Sequence, residues 1–133
     1  MSTLPNPTIK LIKDNPDVKS YIYQQIAEFD GFVTPDTTIT VVARDPLKLA
    51  LQYEAEGKEY TKAGLKKLYR IGIVLQEGDA KVEAEGVHEN IFKAVAMAKD
   101  NLLEKLIEIQ DSVVSQQDRL IEINHFLQHP NLH

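Results

Sequence analysis

The sequence predicts an α+β sandwich of order β-α-β-β-β-α, with two helices on one face of a four-stranded sheet. Three observations carry this. Residues 69–85 alternate apolar and polar about Glu77-Gly78-Asp79, as a hairpin covered on one face does. Val18, Ile22, Ile26 and Phe29 recur at helical spacing, and so do Ile91, Val95, Ala98, Leu102, Leu106 and Ile109. Residues 37–44 are rich in β-branched side chains, which favour a pleated strand.

The elements follow in order. Residues 8–12, Thr8-Ile9-Lys10-Leu11-Ile12, alternate well enough for a short first strand. Asp14-Asn15-Pro16 starts a helix: a capping side chain accepts from the first free N–H groups, and Pro loses nothing there. That helix is expected to reach Phe29 and to end at Asp30-Gly31 on a left-handed glycine. Thr34-Pro35-Asp36 is a turn. In the next strand Ile39, Val41 and Ala43 face one way, and Thr38, Thr40, Val42 and Arg44 the other.

Residues 45–68 form an insert. Asp45-Pro46 caps a helix through Leu47, Leu51 and Ala55 to Gly57, and 61–68 makes a second short helix that Gly64 weakens. An extended hairpin through 48–53 is the alternative. Strands at 69–76 and 80–85 complete the sheet. The last helix starts near His88 or Glu89 and runs to Pro130, with a break expected at Asp111-Ser112 or Ser115. Unbroken over 88–128 it would be about 60 Å long, too long for one small sheet. Residues 1–110 are therefore read as the domain and 111–133 as a helical extension. From the end of the domain into the extension, Ile109, Val113, Gln116, Leu120, Ile123 and Leu127 keep heptad spacing, a stripe suited to a partner helix.

The chain has 133 residues, enough to bury a core without staples, and no cysteine. That excludes a disulfide framework, a thiol nucleophile, a zinc finger and an iron–sulfur site. Apolar residues make up 43% and charged residues 26%, an ordinary globular balance. No apolar run is long enough to span a bilayer. The first residues have neither the basic start nor the apolar stretch of a signal peptide, so a cytoplasmic protein is expected. The net charge is -5, yet residues 58–70 carry Lys58, Lys62, Lys66, Lys67 and Arg70 against Glu59 alone. Such an island can meet phosphates despite the overall charge. Taken by itself, a solvated loop or helix face is the preferred reading.

Candidates for catalysis are thin. There is no phosphate loop, nucleotide fingerprint or metal-binding helix motif. Glu83 and Glu85 share a strand face and Glu89 lies close, but a solvated sheet face accounts for them. His125, His129 and His133 recur at four residues, with Glu122 as the one nearby carboxylate. Pro130 interrupts that spacing, and a polar chain end is the preferred reading over a metal site. His88 reads as a capping residue. Tyr60 and Tyr69 flank the basic island where a base could stack, although Tyr69 shares the spacing of the core positions. An enzyme would need a pocket joining Glu85, His88 and Arg44 or Arg70.

The strand-to-helix junction reads Ala84-Glu85-Gly86-Val87-His88-Glu89-Asn90-Ile91-Phe92-Lys93-Ala94-Val95. Its small residues suit a strand leaving the sheet under a helix. Its polar residues suit the helix's free N–H groups. This junction resembles that of the ribosome hibernation-promoting factors and ribosome-associated translation inhibitors, also called sigma-fifty-four modulation proteins. The predicted element order also matches that family. The resemblance implies a short-form member that binds the small ribosomal subunit and blocks translation, without catalysis or cofactor. Family members meet ribosomal RNA through basic side chains on the last helix. Here the matching positions fall near Asn101, Glu104, Glu108 and Gln110, which do not attract phosphate. The expected contact therefore moves to Lys58, Lys62, Lys66, Lys67 and Arg70, helped by Lys93 and Lys99. The other expectation is a module that keeps the fold without the ribosome and pairs with a protein, or with a second copy of itself, through Ile109, Val113, Leu120, Ile123 and Leu127.

Overall fold

In the computed structural model of the chain the described residues are 12–128, with side chains over 12–113. The fold is α+β. Its sheet is an antiparallel meander of three strands among the described residues, β1 (Thr38–Arg44), β2 (Tyr69–Glu77) and β3 (Ala80–His88), in that spatial order. Residues 8–11 of the expected first strand lie outside the described residues. Ile12, placed at the end of that strand, belongs instead to a helical stretch over 12–14.

Helix α1 (Pro16–Ile26) starts as the sequence demands: the Asn15 side chain accepts from the N–H groups of Asp17 and Val18. It does not reach Phe29 as an α-helix. A 3-10 segment, Ala27–Phe32, takes over and turns Phe29 into the core. Nor does Gly31 adopt the expected left-handed cap, since only Gly57 and Gly78 have positive φ among the described residues. The tighter winding ends the helix without that conformation. Gly78 sits first in the two-residue hairpin loop with φ 59°, a value that a type II′ turn reserves for glycine.

The insert is helical, not a hairpin. A 3-10 turn (Pro46–Lys48) is capped by Asp45, α2 (Leu49–Ala55) continues it, and α3 (Lys62–Lys66) is capped by Thr61 Oγ1 on the Gly64 N–H. The face differs from the expected one. Leu49 and Leu65 are buried, while Leu51 points to solvent.

The last helix, α4 (Ile91–Gln128), has 38 residues and passes through 111–115 without the predicted break. Ile91, Ala94, Val95, Ala98 and Leu102 pack on Ile71, Ile73, Leu75 and Ala84 of the sheet, together with Val18, Ile22 and Phe29. Both long helices thus share one sheet face, and Tyr21 of α1 meets Phe92 of α4 edge to face at 5.2 Å. No helix among the described residues is long and apolar enough to cross a membrane.

The junction between β3 and α4 is set by small residues and caps. A Cβ on Gly86 would stand 2.0 Å from the Ala94 carbonyl oxygen and 2.5 Å from the Ala98 nitrogen. Only glycine lets strand and helix approach this closely. Asn90 Oδ1 accepts from the N–H groups of Phe92 and Lys93, and His88 Nδ1 accepts from the Asn90 N–H. Two α4 side chains then close the edge of β3: Asn101 donates to the Glu85 carbonyl at 2.8 Å and Lys105 to the Glu83 carbonyl at 2.6 Å. Occupied carbonyls make that edge a poor template for another strand.

Candidate nucleic-acid interface

The strand register gathers the insert and the start of α4 at one end of the sheet. Arg44 pairs with Arg70 and Tyr69 with His88, so β1 ends, β2 begins and β3 ends at the same level. Helix α3 stops three residues before Tyr69, and α4 starts three residues after His88. Lys62, Lys66, Lys67 and Lys93 therefore lie toward this end. All four are exposed, and none makes an ion pair among the described residues. Lys48, in the 3-10 turn that contacts both short helices, is a fifth exposed lysine with the same property. The one-dimensional run from 58 to 70 did not include it, because only the turn after Asp45 brings it alongside.

The other expected contacts are engaged inside the protein. Lys58 pairs with Glu56 at 3.0 Å and lies 5.7 Å from the Tyr53 ring centre. Its ammonium pKa is raised, chiefly by the hydrogen bond to Glu56. Lys99 is largely enclosed and pairs with Glu28 at 2.6 Å and Asp100 at 2.7 Å, tying α4 to the 3-10 segment. Burial works against its charge, but the two carboxylates outweigh it and raise the pKa. Arg70 is held by Glu85, with Nε 2.7 Å from Oε2. Tyr60, expected to stack on a base, donates its hydroxyl to Glu54, which raises its pKa, and packs edgewise on Tyr53. Tyr69 packs against the core.

On the open sheet face Glu85 is the hub of a lattice. Arg70 grips it from β2 and Arg44 reaches across from β1 at 2.5 Å, with a second hydrogen bond to Glu83 at 3.3 Å. Gly72 makes that reach possible, since a Cβ there would stand 2.9 Å from the Arg44 guanidinium carbon. Arg70 also donates to the Asp45 carbonyl and so fastens the insert to the sheet. A shallow cleft of about 480 Å³ is lined by Ala43, Arg44, Asp45, Lys48, Arg70 and Glu85. His88 is not among its walls. Partial burial pushes the Glu85 carboxyl up, but the hydrogen bonds from Arg70 and Arg44 prevail and hold it below its ordinary value. A carboxylate so held is a poor proton carrier near neutrality. The Arg44 pKa is raised in turn, first by its hydrogen bond to Glu85.

Linkage gives this lattice a pH signature. A carboxyl with a depressed folded pKa stabilises the fold above its unfolded pKa, and that contribution fades as pH falls through the folded value. Glu85→Gln is therefore expected to destabilise the protein by about 1–2 kcal/mol at neutral pH, discounted for partial exposure. The gap to the unsubstituted protein should close in acid, below the usual carboxylate range. Urea unfolding at several pH values measures it, and a gap that widens in acid would contradict the lattice.

A groove of about 380 Å³ between β3 and α4 is lined by Ala84, Glu85, Asn101, Glu104, Lys105 and Glu108. This is where the resemblance puts the family's RNA contact. The Glu104 and Glu108 carboxylates oppose a phosphate there, and its lysine is spent on the Glu83 carbonyl. Of the expected partner-helix residues, Ile109 and Val113 are exposed on α4. Leu120, Ile123 and Leu127 lie on the same helix, but their side chains fall outside the described ones, as do those of His125, His129 and His133.

No protein-family model matches this chain, and no curated protein matches it.

Proposed function

We propose that this chain binds the small ribosomal subunit in the cytoplasm and holds translation down, as a divergent short-form relative of the hibernation-promoting factors. The observation that carries the reading is the set of exposed lysines, without ion pairs among the described residues, on elements that meet at one end of the sheet: Lys48, Lys62, Lys66, Lys67 and Lys93. The resemblance of the β3-to-α4 junction is the second support; its Gly86 and Asn90 play the packing and capping roles that their own chemistry predicts.

Lysine ammonium groups act here as point charges that neutralise phosphates and release condensed counterions. No bond is made or broken, and no cofactor takes part. The test is co-sedimentation of the full chain with ribosomes and separated subunits at low and moderate salt. The expected result is salt-sensitive migration with the small subunit. Protein left at the top of the gradient at both salts would overturn the proposal.

A further inference from the structure

We propose that the part of α4 beyond the sheet, residues 107–128, is covered by the same segment of a second copy of this chain, running antiparallel. The inference is independent of the ribosome reading, because it uses the end of α4 remote from the lysine cluster.

Every residue from 107 to 113 is exposed, and Ile109 and Val113 are each 47% exposed. The helix nonetheless continues to Gln128. Residues 107–128 would span about 33 Å, and an isolated helix of that length is marginal in water. The stretch also holds Ser112, Val113, Val114, Ser115 and Asn124, all weak helix formers. Burial of an apolar seam supplies what propensity does not. The heptad provides one: Val113, Leu120 and Leu127 at the a positions, and Ile109, Gln116 and Ile123 at the d positions.

Charge placement fits a second copy. The acidic residues Glu108, Asp111, Asp118 and Glu122 all fall at the c and f positions of that heptad. The e and g positions that flank the seam carry Gln110, Gln117, Asn124, Ser112, Arg119 and Phe126. Two acidic copies can therefore approach without like-charged carboxylates along the seam. A two-fold pair also matches one stripe to itself, as a symmetric interface requires.

The direction follows from the fold. Leu102 and Leu106 pack toward the sheet, and the stripe of Ile109 and Val113 continues from them along the same helix. In a parallel pair both sheets would need the space between two helices only about 8–10 Å apart. In an antiparallel pair the partner helix ends where the sheet begins. The a-to-d layers then set Ile109 level with Leu127 of the second copy, Val113 with Ile123, and Gln116 with Leu120.

Light scattering on the full chain should give about twice its 15.0 kDa. Val113→Asp should raise the dimer dissociation constant by about 100-fold or more, since each dimer loses two apolar side chains from its seam. Ile107→Gln, at an off-seam b position, should leave it unchanged. The chain has no cysteine, so direction can be read by oxidation. Mixed Ile109→Cys and Leu127→Cys proteins should cross-link to each other, and Ile109→Cys alone should not cross-link to itself. A monomer at tens of micromolar, a tetramer, or self-linking of Ile109→Cys would each overturn the proposal.

Discussion

Gly86→Ala should destabilise the domain by about 3–5 kcal/mol, more than most single methyl additions do. The added carbon meets backbone, not the end of a flexible side chain: the Ala94 oxygen at 2.0 Å and the Ala98 nitrogen at 2.5 Å. Relief requires α4 to move off β3. That motion would loosen the contacts of Ala94, Ala98 and Leu102 with the sheet, all fully buried. It would also strain the bonds from Asn101 and Lys105 to the β3 carbonyls. Gly31→Ala is the control, because nothing lies within 4 Å of its added carbon and its φ is not positive. That change should stay within about 0.5 kcal/mol of the unsubstituted protein. Urea unfolding compares the two. Equal stability of both variants would contradict the close approach of strand and helix.

Replacing Lys62, Lys66 and Lys67 together by Glu should lower affinity for the small ribosomal subunit by about 100-fold or more at low salt. Three attractive contacts become three repulsive ones, and electrostatic binding to phosphate scales with the number neutralised. The same variant should unfold within about 1 kcal/mol of the unsubstituted protein, since these side chains are exposed and make no ion pair among the described residues. Lys99→Ala separates the new site from the expected one. Lys99 is tied to Glu28 and Asp100, so its loss should reduce stability and leave ribosome affinity nearly unchanged. Undiminished binding by the triple variant would remove the lysine cluster from the account.

The core was legible in the sequence because each buried stripe has a single dominant period. Ile71, Ile73 and Leu75 alternate, and Ile91, Val95, Ala98 and Leu102 repeat at helical spacing; all are buried. The caps at Asn15 and Asp45 were legible because a short polar side chain stood before Pro; Thr61, which caps α3, was read only as the start of a short helix. Leu49 and Leu51 were not separable, because a short helix with few apolar residues has no face until neighbouring elements choose one. The end of α1 was misread for a related reason. The spacing of Ile26 and Phe29 is compatible with α and 3-10 winding alike, and packing of Phe29 decided between them.

The residues proposed to meet phosphate divide along the same line. Local charge density picked out Lys62, Lys66 and Lys67, which are exposed and make no ion pair among the described residues. It also counted Lys58 and Arg70, and the resemblance added Lys99, because their carboxylate partners depend on side-chain reach or come from other elements. Arg70 finds Glu85 only through strand pairing, and Lys99 finds Glu28 only through helix packing. Lys48 was passed over for the converse reason.

The most direct measurement of the central claim is the salt dependence of binding to purified small ribosomal subunits. With three to five lysines on phosphates, log affinity should fall against log salt with a slope of about -2 to -4. The triple Glu variant should show little binding from which to draw a slope. A slope near zero for the unsubstituted protein, or no binding at the lowest salt, would contradict the account.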